Sequence, residues 1–192
     1  MHIHTVAAGG GSILGYDGSR FRVGPESAGA NPGPAAYNKG GDQPTISDAD
    51  IHLGRIDPDY FAGGRVKLMP DLSSLAIERI VAKPLGIPTQ MAALGVTEMV
   101  DETMANAARV HAVERGYDAR DHALIAFGGA APLHVGRIAE KLNISKIVIP
   151  TNAGVGSAIG FLRAPVAYEV VRSRNTFLRD LDSQVINSLM NE

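Results

Sequence analysis

The chain has 192 residues, 45% of them hydrophobic, and a formal net charge of −2. That is enough apolar material for a real core, and too little basic excess for a nucleic-acid or anionic-membrane surface. Cysteine and tryptophan are absent, which excludes a disulfide frame, thiol chemistry and a cysteine-based metal site. No apolar run reaches a transmembrane length and no signal pattern opens the chain, so the expectation is a cytoplasmic protein with no nucleic-acid or membrane partner.

Met1 is followed at once by the strand-like His2-Ile3-His4-Thr5-Val6, a start without a lead-in that reads as a piece cut from a longer protein. Gly9, Gly10 and Gly11 follow, and three glycines permit close backbone approach. They form either a ligand loop or a bulged strand feeding the next element. Ile13–Tyr16 and Phe21–Val23 flank Asp17-Gly18-Ser19, the pattern of a β-hairpin on an Asp-Gly turn. Residues 24–41 are rich in Gly, Pro, Ala and Ser, and Pro25, Pro32 and Pro34 exclude a regular helix there. Long loops of this kind inside a compact domain are usually functional or disordered, and the small residues Ser27–Ala30 predict an ordered wall.

Ser47 to Gly54 reads as a short capped helix with Asp48 and Asp50 in its first turn. Capping is the plain reading of both aspartates, and a metal or substrate contact is the sharper reading of Asp48. His4, Asp48 and His52 are the candidate metal or substrate contacts, since imidazole and carboxylate suit Mg²⁺, Mn²⁺ or Zn²⁺, although their spacing matches no ligand motif. Asp71 or Ser73 is expected to cap a helix through Leu75, Ile77, Ile80 and Val81 that ends near Pro84 and Gly86. A longer helix is expected from Thr89 to Arg115, with a core stripe of Val96, Met99, Thr103, Ala107 and Val110. Asp101 falls off that stripe, and Gly116 suits the helix end.

Ala123–Phe127 reads as a buried strand that breaks at Gly128-Gly129 and gives way to an amphipathic helix at Pro132. A strand running through Gly-Gly into a helix N-terminus lets a planar or charged ligand approach bare backbone, with a partial positive charge beside it. A tight turn without a ligand is the alternative. Lys146–Ile149 reads as the next strand, residues 153–160 as a small-residue helix, and Val166–Val171 as a last strand. The tail from Asn175 to Glu192 is amphipathic. Alternation of helix and strand over 89–171 predicts an α/β class. The expected divisions are 1–70 (strand, hairpin and Gly/Pro-rich loop), 71–174 (α/β subdomain) and 175–192 (a tail leading to a missing region).

Assembled in order, IHTVAAGGGSI (3–13), VGPESAGANPGPAAY (23–37), PTISDAD (44–50), LGR (53–55), RGYDARD (115–121) and FGGAAPLH (127–134) resemble the hydantoinase A/oxoprolinase family. That family includes ATP-dependent N-methylhydantoinases, 5-oxoprolinases, and subunits of acetone and acetophenone carboxylases. The resemblance implies part of an actin/Hsp70/sugar-kinase-like ATPase fold, with the Gly/Pro-rich hairpin region at its N-terminal end. It places Gly128, Gly129, Ala130 and Ala131 against the adenosine of ATP, and makes Asp48 and His4 the candidate catalytic residues.

The chemistry implied is ATP- and Mg²⁺-dependent (or another divalent metal) phosphorylation of a cyclic amide or imide carbonyl to drive ring-opening hydrolysis. The alternatives are a ketone carboxylase subunit, or a non-catalytic nucleotide-binding or assembly module. A small-molecule substrate and a partner subunit or homo-oligomer are implied with it. Many relatives carry Gly at the positions of Ala7 and Ala131, and Cys at Ala36. The family's Asp-x-Gly-Gly-Thr phosphate loop has no counterpart here, so the chain reads as an internal fragment that turns nothing over alone.

Overall fold

β1 (Ser12–Tyr16) and β2 (Phe21–Ser27) run antiparallel, pairing Leu14 with Val23 and Tyr16 with Phe21. Asp17 Oδ1 accepts from the backbone N–H groups of Ser19 and Arg20, and Gly18 takes a φ of 96°. Glycine adopts that conformation without strain, so Asp-Gly fixes where the chain reverses. The computed structural model describes residues 5, 6, 8–171, 173–180 and 182–191.

The β1–β2 register slips between Ser12 and Leu14, where the glycine run feeds in. A Cβ on Gly10 would lie 2.6 Å from Ser47 Oγ, and one on Gly11 would lie 2.8 Å from Ser27 Oγ. The protein's own serines fill that space, so Gly10 and Gly11 serve packing beside a bulged strand rather than a ligand.

α1 (Ile46–His52) starts on a capping box. The Thr45 side chain accepts from the Asp48 N–H, while the Asp48 side chain accepts from the Thr45 N–H. α2 (Pro70–Ile77) has Met69 at its N-cap and no side-chain cap, which corrects the expectation of Asp71 or Ser73. Pro70 at the first helical position removes an N–H that would lack a helical partner, and Ser73 is used elsewhere. A wide π turn (Glu78–Ala82) leads into α3 (Lys83–Leu85), which ends at Gly86 with a φ of 65°.

α4 (Thr89–Val113) buries Ala92, Ala93, Val96, Thr97, Val100, Asp101 and Ala105. Val96 belongs to the expected stripe, whereas Thr103 and Val110 are exposed and Asp101 is fully buried. The apolar pattern turned the helix the wrong way for these three, because it counted alanine weakly and assigned Asp101 to solvent. Leu14, Ile46, Ala49, Ile77, Val81, Val96 and Val100 share one core. The stretch before residue 70 therefore packs with the helices after it.

β3 (Leu124–Ile125), α5 (Ala131–Leu142) and β4 (Ile147–Val148) form a parallel βαβ unit, with Leu124 paired to Ile147 and Ile125 to Val148. Both strands are shorter than expected and they are not buried. Ile125 is 64% and Phe127 52% exposed, and Ile147, Val148 and Ile149 are all exposed. A two-stranded sheet leaves outer edges and a face uncovered, so apolar side chains alone do not bury it. The inner face of α5 packs Ile138, Ala139 and Leu142 with Ala105 of α4.

α6 (Gly156–Arg163) follows a 3₁₀ turn at Ala153–Val155. The chain divides into two compact units, 1–159 and 160–192. In the second, Val166–Val171 is not a strand. Val166 and Tyr168 are 86% and 92% exposed, and no strand among the described residues pairs with the segment. A 3₁₀ turn (Leu178–Asp180) and α7 (Ser183–Asn191) complete this unit, with Phe177, Leu178, Ile186 and Met190 exposed. Among the described residues no helix is long and apolar enough to cross a membrane.

Candidate functional site

The turn between β3 and α5 is held at its base and open above. The Ala126 N–H donates to the Val148 carbonyl at 2.9 Å, and the Gly128 N–H donates to the Ala153 carbonyl at 2.7 Å. Gly128 has a φ of 94°, and Gly129 does not share that left-handed conformation. A Cβ built on either would meet no atom within 4 Å. α5 then begins at Ala131 with Pro132 in its first turn, and its N-cap, Ala130, supplies no side-chain hydrogen bond. An uncapped N-terminus of a twelve-residue helix, with free space over both glycines, suits a ligand that hydrogen-bonds or stacks on backbone. Gly128, Gly129, Ala130 and Ala131 are thus contiguous at one open surface, as a nucleoside-binding turn requires.

Of the two expected catalytic residues, only Asp48 is described. His4 lies outside the described residues, as does Ala7. Asp48 is fully buried. Its Oδ2 accepts from the Ala35 N–H (3.0 Å), the Thr45 N–H (2.8 Å) and the Thr45 hydroxyl (2.9 Å), and its Oδ1 accepts from the Ala36 N–H (2.9 Å) and Ser73 hydroxyl (2.7 Å). Five donors commit both oxygens to tying the end of the Gly/Pro-rich loop and α2 onto α1. The geometry assigns Asp48 to holding the fold, because no oxygen is left for a metal or a proton transfer. His52, the third candidate contact, places Nδ1 2.8 Å from Ser74 Oγ on α2. No cluster of three or more metal-ligating side chains arranged to hold an ion occurs among the described residues.

A second buried group was missed in the sequence. His134, in the first turn of α5, is completely buried, with Nδ1 2.7 Å from Asp101 Oδ1 on α4 and Nε2 3.4 Å from Asp50 Oδ2 on α1. Asp50 Oδ1 is also 3.2 Å from a guanidinium nitrogen of Arg55. Burial disfavours the charged ring, but the hydrogen bond to Asp101 and the negative charges of Asp101 and Asp50 outweigh it and raise the His134 pKa to about 9. Asp101 Oδ2 and His134 Nε2 nevertheless have no hydrogen-bond partner. The signal available was His134 standing in the motif that carries the glycines. Its partners lie on α1 and α4, and no local spacing reveals them.

The Hydantoinase/oxoprolinase family model matches residues 1–170. The chain is 38% identical over 195 residues to the caprolactamase subunit alpha of Pseudomonas jessenii, covering all of this chain and 28% of that protein. It is 42% identical over 176 residues to the acetophenone carboxylase gamma subunit of Aromatoleum aromaticum, covering 91% of this chain and 24% of that protein. Among solved structures, nucleotide-free acetone carboxylase, from a study of ATP-dependent acetone carboxylation, superposes with a TM-score of 0.75 at 35% identity, over 81% of this chain and 22% of that one. The chain thus spans about a quarter of the length of these relatives. With a family model covering most of its length, the chain belongs to the hydantoinase/oxoprolinase family.

Proposed function

We propose that this chain is the adenosine-facing part of an ATP-dependent enzyme, within an actin/Hsp70/sugar-kinase-like ATPase fold, that activates a cyclic amide or imide carbonyl for ring-opening hydrolysis. The observation that carries the reading is the Gly128-Gly129 turn: two glycines with unobstructed space at the uncapped N-terminus of α5. Family membership and the 38% identity to a caprolactamase subunit point to the amide chemistry.

An amide carbonyl resists water because resonance with nitrogen lowers its electrophilicity. Bound ATP with Mg²⁺ would supply a phosphoryl group to the carbonyl oxygen, turning it into a leaving group. The part of this chain is to bind and orient. Open backbone at Gly128 and Gly129 receives the nucleoside, and the Asp48 hydrogen bonds keep residues 35 and 36 fixed against α1 and α2. The residues that would hold the phosphates and metal are proposed to lie in a segment beyond this chain, along with a partner subunit, so purified 1–192 is expected to show no turnover.

A second reading, ketone carboxylation, is favoured by the 42% identity to an acetophenone carboxylase subunit and by the acetone carboxylase superposition. The experiment is ATP hydrolysis by the intact protein across hydantoin, 5-oxoproline, caprolactam, and acetone or acetophenone with bicarbonate. Stimulation by a lactam or imide is the expected result. Stimulation by ketone and bicarbonate alone selects the second reading, and no stimulation by any of them leaves the nucleotide-binding or assembly module in place of the enzyme.

A further inference from the structure

Asp50, Asp101 and His134 are buried, with the partly exposed Arg55 beside Asp50, and His134 stands at the base of the candidate nucleotide turn. His134 is the fourth residue of α5, one turn below Gly128-Gly129. Arg137 and Lys141 also pair with Glu98 and Glu102 between α4 and α5, further along α5 and toward the surface. His134 is therefore the buried polar anchor nearest the turn, and it reaches two different helices. An imidazole holds both directions at once because its two nitrogens point to opposite sides of the ring.

We propose that His134 is a positioning residue. Held between Asp101 and Asp50, it fixes the first turn of α5, and through it the Gly128-Gly129 backbone, in the geometry that receives the nucleotide. Three observations support this. The ring is fully buried against two buried carboxylates on separate elements, so rotation or withdrawal would strand charge in the interior. The turn is tied by few backbone bonds: Ala126 to Val148 and Gly128 to Ala153 at its base, and Leu133 to Ala130 inside the helix start. Finally, Asp101 Oδ2 and His134 Nε2 make no hydrogen bond, and Nε2 stands 3.4 Å from Asp50 Oδ2, so the charges of the carboxylates rather than a full set of hydrogen bonds hold the ring.

The inference rests on the adenosine placement proposed above, and the test separates the two. In the intact protein, His134→Gln is compared with the parent and with Glu98→Gln, which loosens only the surface contact between the same helices. Amide exchange is followed over 126–133, and ATP binding is measured by calorimetry. His134→Gln is expected to speed exchange of that segment about tenfold and weaken ATP binding about tenfold, while Glu98→Gln moves neither by more than about twofold. Asp101→Asn, which keeps an oxygen in reach of the ring, gives the same readouts in milder form should His134→Gln fold poorly. Faster exchange with unchanged ATP affinity sustains the anchoring and overturns the adenosine placement. Unchanged exchange at 126–133 in a variant with a lowered melting temperature overturns the proposal, because the histidine would then stabilise the protein without positioning the turn.

Discussion

Asp48 and Asp50 sit two residues apart on α1, both buried, and their surroundings have little in common. Asp48 collects five neutral donors from the backbone or hydroxyl groups of residues 35, 36, 45 and 73. Asp50 faces two cationic side chains, Arg55 and His134. Neutral donors from backbone and hydroxyl groups carry no charge that pH can remove. The imidazole beside the other carboxylate is itself a titrating group. One aspartate builds a rigid joint between loop and helices, while the other belongs to a cluster whose charge state can change. Burial alone does not separate structural from adjustable acids, and the chemistry of the partners does.

Removing the rigid joint should cost most. Asp48→Ala leaves five donors facing a void, each unmade bond to a buried charged acceptor being worth about 1.5–3 kcal/mol. A total loss of about 4 kcal/mol or more is expected in chemical unfolding. A loss below about 1 kcal/mol would place Asp48 outside the fold's support and return it to the list of reactive residues.

The adjustable cluster should show itself through pH. A His134 pKa raised from 6.5 to about 9 means the native state binds the proton more tightly than the unfolded chain. The stabilisation is fully present below about pH 6.5 and is lost as pH rises through 9, and it amounts to roughly 3 kcal/mol at most. The groups facing the ring are Asp101 from α4 and Asp50 from α1, the latter shared with Arg55. Melting temperatures of the parent and His134→Leu should therefore converge between pH 7 and 10. A constant difference across that range would mean the ring is neutral at pH 7. Asp48 variants, with no imidazole partner, should show no such convergence.

A smaller effect belongs to the cap. Thr45→Ala removes one side of the capping box and one of the Asp48 donors, with an expected loss of about 1–2 kcal/mol in the same unfolding assay. Loss near zero would show that the four remaining donors hold Asp48 without the hydroxyl.

The smallest lies at the surface. The guanidinium of Arg137, then the ammonium of Lys141, hold the Glu98 carboxyl down at about 2, yet its side chain is half-exposed and solvent screens most of that interaction. Glu98→Gln should cost under about 1 kcal/mol, and the cost should shrink further in high salt. A larger, salt-independent loss would make this network a third joint of the fold.

Much of this architecture could be read from composition and spacing. The Asp-Gly hairpin, the helix ending at Gly86, the long helix into Gly116 and the break at Gly128-Gly129 all follow from local backbone chemistry, which neighbouring residues determine. The turn's open space was implied by two adjacent glycines before a proline. What sequence did not show depends on residues far apart in the chain. Asp101 looked solvent-facing because its partner arrives from α5, and His134 looked like the end of a motif. Val166–Val171 has the apolar alternation of a strand, but a strand exists only beside another, and among the described residues none pairs with it. The positive φ falls on Gly128 while Gly129 is free of it. Steric filling, without backbone strain, is thus what a side chain at 129 would test.

That distinction defines the decisive measurement: calorimetric titration of ATP into the intact protein carrying Gly129→Val, beside Ala131→Gly as a tolerated control. A Cβ at residue 129 meets nothing of the protein within 4 Å, so the variant should keep the parent's circular dichroism spectrum and nucleotide-free melting temperature. The account predicts that this folded variant loses ATP binding while Ala131→Gly retains it. A folded Gly129→Val that binds ATP as tightly as the parent would contradict it, and the turn between β3 and α5 would be only a turn.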